Sequence, residues 1–146
     1  MERKAPQIMD TRLIVERLHP AAQLPRKAHA SDACFDLFAP QAYEVAAGER
    51  LALGLGIALQ LEEGWEAQIR GRSGLAKRGI EVHFGTIDHL YRLEVKVLVH
   101  NASGIPWKVQ AGDRVAQMKL ARIWDVEVLE GPVSSTERGG LGSTGR

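Results

Sequence analysis

The stretch LALGLGIALQL, residues 51–61, decides the fold class. Every odd-numbered position in it is leucine or isoleucine, whereas the even-numbered positions are alanine, glycine and glutamine. An apolar period of two is typical of a β-strand with one buried face, because successive side chains of a strand point to opposite sides. A helix would repeat its apolar residues about every 3.6 positions. The stretch therefore predicts a long strand.

Similar patterns lie on both sides of this stretch. Between residues 93 and 99 the odd positions are again apolar, with Glu94 and Lys96 between them. Shorter runs of the same kind occupy residues 13–15, 43–45, 65–69, 116–123 and 126–128. Turn signals separate them at Pro40, Ala47-Gly48, Glu63-Gly64, Ser103-Gly104 and Gly131-Pro132. Short strands at this spacing predict an all-β sandwich or barrel.

Length and charge limit the classes of function. A chain of 146 residues fits one domain, and 19 basic against 18 acidic residues leave a net charge of +1. This balance argues against a nucleic-acid partner, because proteins that bind the phosphate backbone usually carry a strong excess of basic residues. No apolar run approaches the length of a membrane span, and the first 15 residues lack a signal-peptide pattern. With the single cysteine Cys34, these features predict a cytosolic location.

Basic residues and glycines mix in the segment from position 65 to 80. It carries Arg70, Arg72, Lys77 and Arg78 against Glu66. Arginine forks and backbone N–H groups exposed beside glycine suit a polyphosphate, although a solvated charged loop would have the same composition. Within the segment, SGLAKRG predicts one helical turn with Ser73 as its N-cap and Gly79 after its C-terminus.

Two further segments combine turn residues with reactive ones. The segment GTIDHLYR, residues 85–92, places Asp88 beside a turn and Tyr91 three positions later. An acid and an aromatic there could position a water and stack on a ring, or could only form the turn. The end of the chain holds four glycines in residues 139–145, which could wrap N–H groups around phosphate oxygens or form a disordered end.

Five segments in this order resemble the motifs of the trimeric dUTP pyrophosphatase (dUTPase) family. They are SDACFDLFA (31–39), RGRSGLA (70–76), GTIDHLYR (85–92), GDRVAQM (112–118) and RGGLGSTG (138–145). Each is weak alone, but five in the family's order form a specific signal. The resemblance implies a jelly-roll-like β-barrel over residues 1–131 and a flexible glycine-rich arm over residues 132–146.

The resemblance also implies an activity and an assembly. It implies a homotrimer that hydrolyses dUTP to dUMP and pyrophosphate with Mg²⁺, limiting uracil incorporation into DNA and supplying dUMP for dTMP synthesis. Each of three sites would lie between subunits, and the arm would close over a neighbouring subunit's site. Neither a nucleic acid nor a membrane is implied as a partner. A dCTP deaminase on the same fold and a non-catalytic nucleotide-binding relative are the alternatives.

Site residues follow by position in the motifs. Asp88 matches the catalytic aspartate that activates the water attacking the α-phosphorus, and Asp36 matches a carboxylate that holds Mg²⁺ through water. Tyr91 matches the tyrosine packed under the deoxyribose, whereas Asp113 and Arg114 are expected to be mainly structural. The other substrate-binding residues implied are Arg72, Ser73, Gly74, Gly85, Thr86, Ile87, Gln117, Arg138, Leu141, Gly142, Ser143 and Thr144.

The sequence also departs from the family pattern. Leu141 stands where the tail motif usually has an aromatic residue that stacks on uracil, and Val82 stands where many bacterial members have asparagine. His83 and Phe84 are bulkier than the usual residues before the hairpin, and Leu93 replaces a glycine. Leu90 replaces an acidic or small residue. These departures predict lower affinity or a shifted base preference.

Overall fold

The computed structural model describes residues 11–142, and within them the chain forms ten β-strands and one short helix. In chain order the elements are β1 (Leu13–Arg17), β2 (Phe35–Phe38), β3 (Tyr43–Val45), β4 (Arg50–Leu61), β5 (Trp65–Arg70), α1 (Ser73–Lys77), β6 (Ile80–Val82), β7 (Gly85–Ile87), β8 (Glu94–Asn101), β9 (Trp107–Val109) and β10 (Arg114–Arg122). The predicted all-β class is confirmed. No helix in residues 11–142 is both long and apolar enough to cross a membrane.

Two four-stranded antiparallel sheets make up the body of the molecule. The first has the order β1-β4-β8-β6 and the second the order β2-β10-β5-β7, while β3 and β9 form a separate pair. Strands that follow each other in sequence, such as β4 and β5, lie in different sheets. This crossing between sheets is the jelly-roll-like arrangement expected from the sequence.

The core lies between the inner faces of the two sheets. From β4 it takes Leu53, Leu55 and Ile57, each no more than 1% exposed. The second sheet contributes Ile69 and Met118, among others. Leu53, Leu55 and Ile57 are odd-numbered apolar positions that the period of two assigned to one face. The prediction of a strand over residues 51–61 is therefore confirmed.

Asn101 is the polar residue buried in this core, at 0% exposure. Its amide nitrogen donates to the carbonyl oxygens of Val45 and Ile105, at 3.0 and 2.8 Å. Its Oδ1 accepts from the N–H and the hydroxyl of Ser103, at 3.0 and 2.6 Å. The side chain is fully bonded, which lets a polar group stay buried at little cost.

A β-bulge interrupts β4 between Gly54 and Ala58. Gly56 adopts a φ of +68°, and a Cβ atom there would lie 2.6 Å from the Cβ of His19, so only glycine fits. The Glu94 carboxylate accepts the Gly56 N–H at 3.1 Å, and the Tyr43 hydroxyl donates to the Gly54 carbonyl at 2.7 Å. The bulge is therefore a fixed part of the strand.

Three predictions of local structure were wrong. The strand over residues 93–99 begins instead at Glu94, and Leu93 is 70% exposed before it. Residues 126–128 form no strand, because nothing in residues 11–142 pairs with them. The helix over Ser73–Lys77 exists, but its N-cap is Arg72 rather than Ser73; Gly79 does follow its end, with a φ of +85°.

Candidate active site

Motif residues from three elements meet around Asp36 on β2. Its Oδ2 accepts a hydrogen bond from Arg114 Nε at 3.0 Å, and its Oδ1 forms an ion pair with Arg72 Nε at 3.6 Å. The Asp36 side chain is 17% exposed, so water screens these charges less than at an open surface. One carboxylate thus orients two guanidinium groups that lie far apart in sequence.

Gln117 joins the same cluster from β10. It stands opposite Asp36 on one side and Arg70 on the other, because β10 lies between β2 and β5. Its side-chain Nε2 donates to the Gly71 carbonyl at 2.9 Å, which fixes the loop leading to Arg72. The structure therefore brings the first, second and fourth motifs together, and we call Asp36, Arg72, Arg114 and Gln117 the Asp36 cluster.

The helix α1 starts directly beside this cluster. Arg72 has an extended backbone (φ −102°, ψ 138°), and its carbonyl accepts from the N–H groups of Leu75 and Ala76. Ser73 and Gly74 are exposed in the first turn, where the N–H groups have no acceptor within the helix. A hydroxyl and two N–H groups therefore belong to the two residues that directly follow Arg72.

The third motif turns the chain from β7 to β8, two strands that lie in different sheets and do not pair with each other; we call this turn, residues 85–92, the hairpin. The Tyr91 N–H donates to the Asp88 carbonyl at 3.0 Å, and the Tyr91 hydroxyl donates to the Glu94 carbonyl at 2.9 Å. Arg92 Nε donates to the His89 carbonyl at 2.9 Å. These internal bonds hold the turn, and they leave the Asp88 carboxylate exposed and the Tyr91 ring 40% exposed.

The start of the hairpin packs on β5. Gly85 and Ile87 stand opposite Ile69 and Ala67, and a Cβ atom on Gly85 would already lie 3.4 Å from Ile69. Thr86, between them, is exposed, and Ile87 is buried. The backbone groups of these three residues therefore lie on a rigid strand.

Asp88 and the Asp36 cluster lie at opposite ends of β5. Ile87 pairs with Ala67, and Arg72 lies five residues further along the chain from Ala67. At about 3.3 Å per residue this corresponds to about 17 Å. Within one chain the backbone positions of Asp88 and Arg72 are therefore far apart, although both residues belong to the predicted site.

The tail residues follow the end of β10. Residues 123–142 contain no helix or strand, and within this segment the Arg138 N–H donates to the Thr136 hydroxyl at 3.3 Å. Leu141 is fully exposed, and Gly142 has a φ of +77°. No hydrogen bond or ion pair within residues 11–142 joins Arg138 to the hairpin or to the Asp36 cluster. Ser143 and Thr144 lie outside the described residues.

Sequence reasoning missed two contacts near the site. It treated Arg114 as structural without finding that its partner is Asp36, because the two residues are 78 positions apart. It also missed the stacking of the Arg70 guanidinium on the Phe84 ring, at 5.6 Å from the ring centroid. The signal for the second contact was an aromatic residue directly before the hairpin.

A cavity of about 510 Å³ lies elsewhere, on the outer face of the first sheet. Arg50, Glu81, Leu98 and His100 line it, together with neighbouring residues of β4, β6 and β8. None of the predicted catalytic or substrate-binding residues takes part in it. We therefore place the candidate active site at the hairpin and the Asp36 cluster, which hold the acidic and basic groups that the motifs predict, and not at this cavity.

The residues fit Mg²⁺ only through water. Within residues 11–142 no group of three or more histidine, cysteine, aspartate or glutamate side chains could hold a metal ion. Both oxygens of Asp36 already face guanidinium groups, but each carboxylate oxygen has a second lone pair that can accept from a metal-bound water. Because Mg²⁺ keeps several waters and prefers phosphate oxygens, this arrangement suits an ion carried by a nucleotide.

Residues 21–145 match the family model described as dUTPase. The chain belongs to the dUTPase family. A relative from Hydrogenobaculum sp., deoxyuridine 5'-triphosphate nucleotidohydrolase, is 43% identical over 141 residues, covering 92% of this chain and 98% of the relative. The protein of the same name from Solibacter usitatus is 43% identical over 139 residues, covering 90% of this chain and 95% of the relative.

Solved structures of phage dUTPases share the fold. A Staphylococcus bacteriophage 80alpha dUTPase with dUpNHpp superimposes with a TM-score of 0.82 at 22% identity, covering 92% of this chain and 98% of that one. A dUTPase from phage phi11 of S. aureus, in which a structural Mg(II) ion is coordinated, has a TM-score of 0.76 at 20% identity, covering 82% and 96%. The jelly-roll-like fold expected from the sequence is confirmed.

Proposed function

We propose that the protein hydrolyses dUTP to dUMP and pyrophosphate. The observation that carries the proposal is the similarity to proteins named deoxyuridine 5'-triphosphate nucleotidohydrolase over nine-tenths of the chain. In the structure, the hairpin leaves Asp88 exposed close to Tyr91. Asp88 orients a water and takes its proton while the water oxygen attacks the α-phosphorus. The bond from the α-phosphorus to the oxygen bridging to the β-phosphorus breaks, and pyrophosphate leaves.

Base and sugar recognition belong to the hairpin. The backbone N–H and C=O groups of Gly85, Thr86 and Ile87 form hydrogen bonds to the edge of the uracil ring. Because their positions are fixed, cytosine would leave some of these polar groups unpaired and would bind less well. The Tyr91 ring, tied at its hydroxyl to Glu94, lies under the deoxyribose and leaves no room for a 2′-hydroxyl. The backbone bonds that hold the turn make this surface rigid before substrate arrives.

The phosphates belong to the Asp36 cluster and α1. Arg72, Ser73 and Gly74 supply a guanidinium, a hydroxyl and free N–H groups, and the Gln117 amide holds the loop before them. Mg²⁺, when bound with the nucleotide, neutralises charge on the phosphates and on the leaving pyrophosphate. Asp36 would hold that ion by accepting hydrogen bonds from its waters.

We infer that the complete site is shared between subunits of a homotrimer. The separation of about 17 Å along β5 supports this, because it sets the backbone of Arg72 far from the Asp88 turn of the same chain. The arm, residues 132–146, closes over a neighbour's site with Arg138, Leu141, Gly142, Ser143 and Thr144, and excludes water. Leu141 covers the base without aromatic stacking.

We also assign the protein to the cytosol, because its single cysteine cannot form an internal disulfide.

The first prediction tests the role of Asp88. We expect Asp88→Asn to lower the rate of pyrophosphate release from dUTP by about 10³-fold, the usual contribution of a general base, with little change in KM. Asp125→Asn is the matched control, because it removes an exposed carboxylate outside the site and should keep the wild-type rate. Full activity in Asp88→Asn would disprove the mechanism.

The same assay separates the alternatives when it is run on dUTP, dCTP, dTTP and UTP with both pyrophosphate and ammonia measured. Ammonia from dCTP would identify a deaminase. Tight binding of dUTP without turnover in Mg²⁺ would identify a non-catalytic relative. Pyrophosphate from dUTP in preference to the other three nucleotides is the result we expect.

A further inference from the structure

A second cleft opens beside the Asp36 cluster, between α1 and the turn that joins β9 to β10. Its volume is about 320 Å³, within the range of about 300–1,000 Å³ that is usual for small-molecule sites. The buried side chains of Leu75 and Trp107 line its apolar part. We call it the basic cleft, because most of its other lining side chains are cationic.

Four cationic side chains line the basic cleft: Arg72, Arg78, Lys108 and Arg114. Arg72 precedes α1 and Arg78 follows it, and both line the cleft together with Lys108 of β9. Arg72 also belongs to the Asp36 cluster, so the cleft and the proposed phosphate site share a guanidinium group.

Three acids near these charges offset them only in part, and one of them, Glu44, stands opposite Lys108 in the pairing of β3 with β9. Asp36 accepts from Arg72 and Arg114, while Asp113 is the acid that lines the cleft itself. Asp113 Oδ2 accepts the Gln110 N–H at 2.8 Å, so its carboxylate is bonded within its own turn. Among residues 11–142 no ion pair involves Arg78 or Lys108. Counting the four cations against Asp36, Asp113 and Glu44, the surroundings of the cleft have a formal excess of one positive charge, which favours an anion.

We propose that the basic cleft is a subsite for a pyrophosphate-type anion, with Arg78 and Lys108 as binding residues. This rests on the proposed function, because the anion is either the terminal pair of phosphates of dUTP or the pyrophosphate released from it. Arg78 offers a fork that can bind two phosphate oxygens, and Lys108 offers a mobile point charge across the cleft. Neither residue belongs to the positions that the motifs assign to substrate.

Titration calorimetry of the full-length chain with inorganic pyrophosphate tests the subsite. We expect Arg78→Gln and Lys108→Gln each to weaken binding by about tenfold, the effect of losing one charge-assisted hydrogen bond. Lys77→Gln is the matched control, because it removes a cation from the same helix but does not line the cleft, and it should change binding by less than about twofold. All three variants change exposed side chains and should fold normally.

Kinetics then separate the two sources of the anion. If the cleft holds the product, the inhibition constant of pyrophosphate rises in Arg78→Gln and Lys108→Gln while KM for dUTP stays constant. If it holds the terminal phosphates of substrate, KM rises as well. Equal pyrophosphate affinity in all three variants, or no binding by the wild-type chain, overturns the proposal. Pyrophosphate binding that needs Arg78 in a chain without dUTP turnover would refute the proposed function but not the cleft.

Discussion

At the scale of single residues, Asp36 is the most informative side chain. Motif resemblance assigns it to Mg²⁺, yet in the structure its two oxygens face Arg72 and Arg114. A carboxylate beside two guanidinium groups has no net negative charge to offer a free cation. This environment supports the water-mediated role that the resemblance implies for Asp36, in which the phosphates of a nucleotide would supply the negative charge.

We predict that Asp36→Asn raises the Mg²⁺ concentration for half-maximal dUTP turnover by about tenfold or more, as expected when an outer-shell partner is lost. Asp32→Asn is the control, because Asp32 Oδ2 accepts the His29 N–H in the preceding loop and does not contact the cluster. Calorimetry should detect no Mg²⁺ binding to the wild-type chain without nucleotide. Tight Mg²⁺ binding to the nucleotide-free chain would contradict the water-mediated role.

Residue identities at the site were easier to predict than their contacts. The motifs pointed to Asp36, Arg72 and Gln117, and the structure brings these three together. The hydrogen bond of Arg114 to Asp36 was not predicted, because hydrogen bonds across a sheet depend on register rather than on local pattern. The role of each residue in catalysis stays a prediction.

At the scale of elements, period two predicts most of the strands and fails where a segment has no partner. It gave β4, most of β8 and the shorter β1, β3, β5 and β10, whereas it did not indicate β2, β6, β7 and β9, which have three or four residues each. It also predicted a strand at residues 126–128, where a single chain offers no partner strand. A strand without a partner has no ladder to stabilise it.

The bulge in β4 leads to a prediction about stability. Gly56→Ala should lower the free energy of unfolding by about 3 kcal/mol, because it adds a steric clash with His19 to an unfavourable positive φ. Gly64→Ala is the matched control: its φ is +86°, but nothing lies within 4 Å of the added Cβ, so we expect a loss of about 1 kcal/mol. Urea unfolding measures both. Equal losses would show that the bulge relaxes around the new methyl group.

At the scale of the whole molecule, β5 separates the proposed catalytic residue from the proposed phosphate-binding residues. The hairpin with Asp88 lies near one end of the strand, and Arg72 lies beyond the other. The resemblance to the family already implied sites between subunits. The pairing of β5 with β7 supports that expectation, because it separates Asp88 from Arg72 along the strand.

Subunit mixing tests this arrangement. Asp88→Asn and Arg72→Ala chains, each inactive alone, are unfolded together and refolded at equal concentration. We expect about a quarter of the wild-type activity, because half of the subunits supply Asp88 and half supply Arg72 at each shared site. A mixture of Asp88→Asn and Asp88→Ala chains is the control and should remain inactive. If the first mixture is equally inactive although it forms trimers, each site lies within one chain.

The ion pair between Asp36 and Arg72 also determines whether the Arg72 side chain loses its conformational entropy during folding or during ligand binding. A free arginine side chain carries about 2 kcal/mol of rotamer entropy, which a flexible residue loses when it grips a ligand. Because Asp36 already restrains Arg72, part of that loss occurs while the chain folds, and less remains for the binding step. The fold is correspondingly less stable, and an incoming triphosphate meets a guanidinium group that is already in position.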